Sequence, residues 1–419
     1  MSLAEITDPQ TAAVQPWLSI VGIGEDGIEG LNATARELIQ SAAVVFGGAR
    51  HLSLAASLIR GTARPWATPF DGTVAEVLTH RGRPVCVLAS GDPFFHGVGS
   101  LLSQHVSRRE TLAVPAPSAF SMAASRLLWP LPQTVLLSLC GRPLDLIRPH
   151  LHPGARILAL TSDQHAPAQL ARLLCDIGFG QSLLTVLESL AGPHERIRAS
   201  RADCFGLERI DSLNTVAIEV AAGPGARILP RTAGLCDDLF EHDGQITKRE
   251  IRALTLSALA PRRGELLWDV GAGSGSVAIE WMLADVSLNA IAIERRADRA
   301  SRIRRNAAAC GVPHLQLIEA AAPDAFEGLT PPDAVFIGGG ATVPGILDAS
   351  RAALRPLGRL VVNAVTLETE SALLKYQSQW GGSLTRIEIS RAGPVGGENA
   401  RMTGWDPARP IVQWTWVKP

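Results

Sequence analysis

The 419-residue chain has no C-x-x-C pair among its six cysteines and neither H-E-x-x-H nor H-x-x-x-H among its ten histidines. The cysteines (86, 140, 175, 204, 236, 310) are too scattered for a disulfide framework and read as small buried side chains of a reducing compartment. Without paired histidines no dedicated metal site is expected. Charge of one sign is also lacking: 39 basic against 40 acidic residues leave a formal net charge of −1. That removes bulk electrostatic attraction to nucleic acid or an anionic membrane as a basis for function. No stretch reaches the roughly 18 consecutive apolar residues of a membrane span. The opening "MSLAEITDPQTAAVQ" has neither the basic nor the apolar region of a signal peptide, so residues 1–16 read as a disordered tail on a cytoplasmic chain.

What is present is length and apolar content. The length exceeds one ordinary core and suggests two or three domains, and 46% apolar residues suffice for buried sheets. Short strand-like runs alternate with helical patterns almost throughout, the layering of an α/β protein. In the first half these runs include "LSIVGIG", "AVVFGG", "PVCVLAS", "TLAVPA", "TVLLSLC", "RILALTS", "LLTVLES" and "TVAIEVA". The rhythm breaks in a Pro- and Gly-containing stretch, so residues 17–222 and 239–419 are expected to be domains and 223–238 a linker. In the second half, Thr247 followed three residues later by Glu250 has the form of a capping box. Strands "ELLWDV", "LNAIAIE", "LQLIEA", "DAVFIGG" and "RLVVNAV" then alternate with helices. The pattern ends in "SLTRIEIS" and "IVQWTWV", an antiparallel pair across a long loop.

The second half carries Asp269-Val-Gly271-Ala-Gly273-Ser274-Gly275 between a strand and a helix, the context in which a glycine motif indicates a nucleotide-type cofactor. Glu294 closes the next strand, where a carboxylate suits a ribose's hydroxyls. NAD and S-adenosylmethionine both have a ribose. The G-x-G-x-G spacing and Asp269, which would repel a pyrophosphate but suits a sulfonium, favour S-adenosylmethionine. The first half has three strand-end loops: Gly22 and Gly24 in "VGIGEDG", Gly91-Asp92-Pro93 in "SGDPFFHGVG", and Ser118-Ala119 in "VPAPSAF". Loops of this kind line ligand clefts at the C-terminal ends of strands.

In this order the first-half loops, with "GGARHL", "LSLCGR" and "PHERI", resemble the tetrapyrrole methylase family, and within it the CbiE-type members that methylate C5 of a corrin precursor. The second half, through "ITKREIRALTLSAL", "DVGAGSGSVAIE", "AVFIGGG", "NAVTLET" and "SRAGPVGG", resembles the CbiT-type precorrin methyltransferases. The resemblance implies a tetrapyrrole methylase fold of two α/β subdomains followed by a Rossmann-like class I methyltransferase domain. It implies one S-adenosylmethionine per domain, methylation of precorrin-6Y at C5 and C15, and loss of carboxylate from the C12 acetate to give precorrin-8. A homo-oligomer is expected, since free-standing relatives of both halves associate. Cys140 stands where the family usually has histidine, so no histidine role carries over there.

The cofactor-binding set so implied is Gly22, Gly24, Gly91, Asp92, Pro93, Ser118 and Ala119 in the first half. In the second it is Thr247, Asp269, Gly271, Gly273, Ser274, Gly275, Glu294, Arg295, Ala321 and Gly338. Asn363, Thr366 and Arg391 are candidates for positioning substrate, with Thr366 equally suited to capping a helix. Because the substrate carries many carboxylate arms, Arg50, His96, Arg142, Lys248, Arg249 and Arg401 are further candidate anchors. Other readings are the same reactions on a cobalt-containing precursor, an RNA methyltransferase activity of the second half, an NAD-dependent oxidoreductase, or a half reduced to a scaffold.

Overall fold

The computed structural model describes residues 16–67, 72–395 and 402–419. The tail 1–15 and Arg401 lie outside the described residues. The chain falls into two compact units, one holding residues up to Arg142 and His152–Arg227, the other Pro143–Leu151 and Ile228–Pro419.

The first unit contains two five-stranded sheets. One is built from β1 (Leu18–Ile23), β2 (Val44–Gly47), β3 (Thr62–Pro65), β4 (Val85–Ser90) and β5 (Thr111–Val114), all parallel in the order β3-β2-β4-β1-β5. Helices α1 (Ala33–Ser41), α2 (Ala49–Leu54), α3 (Thr73–Thr79) and α4 (Val98–Leu102) connect its strands. Both faces are buried, and the period-2 alternation shows it. Leu18, Ile20, Phe46 and Val87 join one core, while Val21, Ile23, Val45 and Leu88 join another. Asn32 caps α1 by accepting from the Ala35 N–H at 2.8 Å.

After α5 (Ala119–Leu127), the second sheet comprises β6 (Thr134–Ser138), β7 (Arg156–Leu160), β8 (Leu183–Glu188), β9 (Arg196–Arg201) and β10 (Asn214–Glu219), with α6 (Ala166–Asp176) between β7 and β8. Its order is β6-β7-β10-β8-β9, and only β6 and β7 run parallel. Two strands here have no sequence signal. β3 is exposed throughout, and β9 ("RIRASR") has no buried position. They are edge strands, recruited by main-chain pairing with β2 and β8.

In the second unit α7 (Arg249–Leu259) precedes a seven-stranded sheet. Its strands are β11 (Leu266–Val270), β12 (Asn289–Ile293), β13 (Gln316–Ile318), β14 (Ala334–Ile337), β15 (Arg359–Ala364), β16 (Ser383–Ile387) and β19 (Ile411–Val417), in the order β13-β12-β11-β14-β15-β19-β16. Between β16 and β19 the chain forms a separate hairpin of β17 (Ser390–Val395) and β18 (Met402–Pro407). Helices α8 (Ser276–Ala284), α9 (Ala297–Ala309), α10 (Ile346–Ala353) and α11 (Leu367–Trp380) complete it. β11 to β15 are parallel, and β19 pairs antiparallel with both β15 and β16, as the final two runs suggested. The hairpin inside the long loop was not foreseen, because its exposed residues carry no apolar alternation.

Two sequence expectations fail locally. Lys248, not Thr247, is the N-cap of α7, and no side chain caps that helix. The first helical bond runs from Arg252 N–H to Lys248 O, while the Thr247 carbonyl accepts from the Arg252 guanidinium. Thr247 therefore sits one residue too early, and Glu250 pairs with Arg391 instead. Of the six cysteines only Cys86 and Cys310 are buried; Cys140, Cys175, Cys204 and Cys236 are exposed, and all six are free thiols. Their scatter over helix ends and loops leaves most outside the cores.

Candidate functional site

In the first unit, the loops after β1, β4 and β5 gather around a cavity of about 410 Å³, within the roughly 300–1,000 Å³ range of ligand pockets. Gly24, Gly91, Ser118 and Ala119 lie on its wall. Gly22 and the G-D-P loop build the wall from behind. A Cβ on Gly22 would stand 1.9 Å from the Gly91 carbonyl oxygen and 2.5 Å from the Ala116 nitrogen, so only glycine allows this approach. Asp92 Oδ1 accepts from the Phe94 N–H at 2.8 Å, and the Pro93 carbonyl accepts from the Gly99 N–H at 2.9 Å. Ser118 caps α5 through its hydroxyl, which accepts from the Ser121 N–H.

The same cavity wall holds Glu25, Arg50, His51 and Ser90. Arg50 forms an ion pair with Glu25 and donates from Nη2 to Ser90 Oγ at 3.0 Å. Burial, with the Arg50 charge adding to it, holds the His51 imidazole down to about 4. Cys140 also lines the cavity, its thiol donating to the Thr161 carbonyl at 3.2 Å. The sequence placed the loop containing Ser90 at a cleft but pointed to no role for the side chains of Ser90, His51 or Cys140.

In the second unit the candidate residues collect along one edge of the sheet, just past the C-terminal ends of parallel strands, where such sheets bind ligands. Gly271, Gly273 and Gly275 follow β11 with φ of 72°, 60° and 75°, a run of left-handed residues that L side chains resist. Glu294 follows β12, Ala321 lies beyond β13, and Gly338 follows β14. Both Glu294 oxygens are tied to backbone: Oε2 accepts from the Gly273 N–H and Oε1 from the Arg296 N–H, each at 3.0 Å. Each oxygen keeps a lone pair for a hydroxyl donor. Arg295 is exposed.

Asp269 is 1% exposed; its Oδ2 accepts from the Ala278 N–H at 3.1 Å, whereas Oδ1 is buried without a partner. The Ser274 hydroxyl is likewise buried and unpartnered. Burial pushes the Asp269 carboxyl up to about 7, opposed by the Ala278 N–H and reinforced by the Glu294 charge. An orphaned carboxylate oxygen under a left-handed glycine loop fits a cationic, ribose-bearing ligand.

The candidate substrate-positioning residues separate. Asn363 is 5% exposed, and both ends of its amide are used inside the fold, Nδ2 donating to Thr255 Oγ1 at 2.9 Å and Oδ1 accepting from Gln413 at 3.0 Å. Thr366 is the N-cap of α11, accepting from the Thr369 N–H. Lys248 stands 3.8 Å from Asp237, while Arg142, Arg249 and His96 are exposed.

Comparison with known proteins gives these sites a setting. Residues 18–203 match the family of tetrapyrrole (corrin/porphyrin) methylases, and residues 238–418 match the precorrin methyltransferase domain. A protein of Sinorhizobium sp named precorrin-6Y C(5,15)-methyltransferase (decarboxylating) is 57% identical over 416 residues, covering 99% of this chain and 100% of that one. The chain belongs to the precorrin-6Y C(5,15)-methyltransferase (decarboxylating) family. Another member, from Mycobacterium tuberculosis (strain CDC 1551 / Oshkosh), is 40% identical over 405 residues, 95% of this chain and 99% of its own. The crystal structure of the C-terminal domain of precorrin-6Y C5,15-methyltransferase from Rhodobacter capsulatus has 47% identity over 45% of this chain and all of that one, with a TM-score of 0.43. As a member of this precorrin-6Y C(5,15)-methyltransferase family the chain is an enzyme, a decarboxylating methyltransferase, and its methyl donor is S-adenosylmethionine. None of the described helices is long and apolar enough to cross a membrane.

Proposed function

We propose that the chain binds one S-adenosylmethionine in each half and methylates precorrin-6Y twice, at C5 by residues 17–222 and at C15 by residues 239–419, with residues 223–238 between them. The second half also removes carbon dioxide from the C12 acetate, giving precorrin-8. The observation that carries this reading is the presence of two differently folded glycine-loop sites in one chain, a cavity walled by Gly24, Gly91, Ser118 and Ala119 and a sheet edge bearing Asp269, Gly271–Gly275 and Glu294. The full-length relatives are named for precorrin-6Y without cobalt, which favours the metal-free substrate.

Bound S-adenosylmethionine supplies an electrophilic methyl group on a sulfonium. The residues' task is chiefly positioning, because an electron-rich ring carbon is itself the nucleophile. Asp269 and Glu294 would hold the cationic and ribose ends in the second half, and Gly24, Gly91 and Ser118 would hold the cofactor in the first. Arg391 and Arg142 are anchors for the substrate's carboxylates. The enzyme works as a cytoplasmic homo-oligomer, a state that sedimentation analysis measures.

Mass spectrometry of precorrin-6Y incubated with the intact chain and S-adenosylmethionine tests the assignment. Gain of two methyl groups with loss of carbon dioxide is expected. A gain of one methyl group shows that one half does not work as assigned, and none at all overturns the reading.

A further inference from the structure

Methyl transfer to a ring carbon that bears hydrogen leaves a proton to be removed before conjugation is restored, and the first unit's cavity contains a group arranged for that step. The guanidinium of Arg50 has donors only, yet its Nη2 lies 2.9 Å from His51 Nε2. Nε2 is therefore the bare, accepting nitrogen, and the ring proton sits on Nδ1, which is buried without a hydrogen-bond partner. Ser90 Oγ lies 2.8 Å from the same Nε2 and already accepts from Arg50 at 3.0 Å. With Nε2 unprotonated, the Ser90 hydroxyl is the donor in that contact and shares the single Nε2 lone pair with the Arg50 N–H. Its oxygen faces the cavity wall while its proton points at an imidazole lone pair, the geometry of a hydroxyl backed by a base.

We infer that Ser90, backed by His51, is the proton acceptor for the methylation carried out in the first unit, with Arg50 and Glu25 holding the pair in register. This rests on the assignment of C5 methylation to residues 17–222. The carbon–methyl bond forms as the sulfur–methyl bond breaks, leaving positive charge spread over the macrocycle. The electron pair of the C5–H bond returns to the ring. The proton passes to Ser90 Oγ as the hydroxyl proton moves to His51 Nε2; Arg50 Nη2 gives up its contact with Nε2 and keeps its bond to Ser90 Oγ, and water then carries the proton away. The methylated intermediate is a cation whose C–H is strongly acidified, so a weak base suffices. Burial keeps His51 neutral, so its Nε2 still accepts, from Ser90 and Arg50 together, and the Glu25 carboxylate offsets part of the added charge.

The experiment uses the full-length chain, S-adenosylmethionine and precorrin-6Y deuterated at C5, following deuterium release and methyl count by mass spectrometry. Release from C5 reports this site alone. Ser90→Ala and His51→Ala are expected to slow it about 100-fold or more, with KM for both ligands held within about twofold. Imidazole in the buffer is expected to restore the His51→Ala chain, which a merely structural histidine would not permit. Ser90 is exposed, so removing its hydroxyl leaves no buried gap and the Ser90→Ala result stands if the histidine variant folds poorly. Wild-type release rates in both variants, or a His51→Ala loss that imidazole leaves unchanged, overturn the relay. A wild-type chain that adds no methyl at C5 overturns the domain assignment and the relay with it, and the methyl count tells this apart.

Discussion

Arg252 and Glu280 form a buried ion pair in the second unit, with Arg252 0% exposed and Glu280 5% exposed. Glu280 also accepts from the Gly234 and Leu235 N–H groups at 2.7 and 2.9 Å, and Arg252 donates to the Leu235 carbonyl. The pair thus fastens the irregular stretch around residue 235 to α7 and α8. Leu229 and Leu235 of that stretch are buried in the same core. Glu280→Ala is expected to destabilise this unit by about 3 kcal/mol, because it leaves the buried guanidinium only the partly exposed Asp237, 3.1 Å away, as counter-charge. A double change to Arg252→Met with Glu280→Leu should cost less than either single change, and denaturant unfolding measures all three.

Gly22→Ala and Gly273→Ala should separate the two methylations by different physics. At Gly22 the new Cβ meets backbone atoms at 1.9 and 2.5 Å, and the strand-end loops must move apart. At Gly273 the nearest atom is 3.5 Å away, and the cost is instead the left-handed φ of 60°, about 1–2 kcal/mol. Each variant is expected to yield product with one methyl group fewer. The methylated position, read by NMR, should be C15 for Gly22→Ala and C5 for Gly273→Ala.

Asp269 should make both folding and cofactor binding proton-linked. Its folded value of about 7 lies above the ordinary 3.8, so between these values the folded state holds the extra proton. Stability of the unliganded chain therefore falls as pH rises from about 4 to about 7, and Asp269→Asn should remove that slope. A sulfonium bound beside Asp269 favours the carboxylate. Cofactor binding near pH 6 is then expected to release a proton, which calorimetry in buffers of different ionisation enthalpy detects. Observed heats that do not vary with the buffer's ionisation enthalpy, meaning no proton release, would refute the coupling.

Arg391 and Glu250 pair across β17 and α7 with both side chains exposed. Arg391→Ala should change stability by less than about 1 kcal/mol, as for other surface pairs. If Arg391 holds a substrate carboxylate, KM for the macrocycle rises in the steady-state C15 reaction while the affinity for S-adenosylmethionine stays the same. An unchanged KM removes it from the substrate site.

Much of the fold was legible because buried strands write themselves into sequence. Leu267 and Trp268 enter different cores on opposite faces of one sheet, and runs such as "ELLWDV" are apolar for that reason. The glycine loops were legible because three alternating left-handed residues demand glycine. β3, β9 and the β17–β18 hairpin were not, since edge and exposed strands are held by main-chain pairing that leaves no side-chain period. The Thr247 capping box failed for a related reason. The Arg252 guanidinium, one helical turn on, claims the Thr247 carbonyl, and the Thr247–Glu250 spacing alone does not register such a competitor.

Sequence alone determined two α/β halves, a glycine-rich strand-end loop in each and a neutral chain with no long apolar run, because each depends on local periodicity, backbone conformation or composition. Only the tertiary structure decided which polar groups meet. Asp269 became a proton-holding carboxyl through burial, and Asn363 was drawn into an internal network. Ser90 and His51, thirty-nine residues apart, came within 2.8 Å on one cavity wall. Desolvation and hydrogen bonding between distant segments exist only once the chain has closed around them.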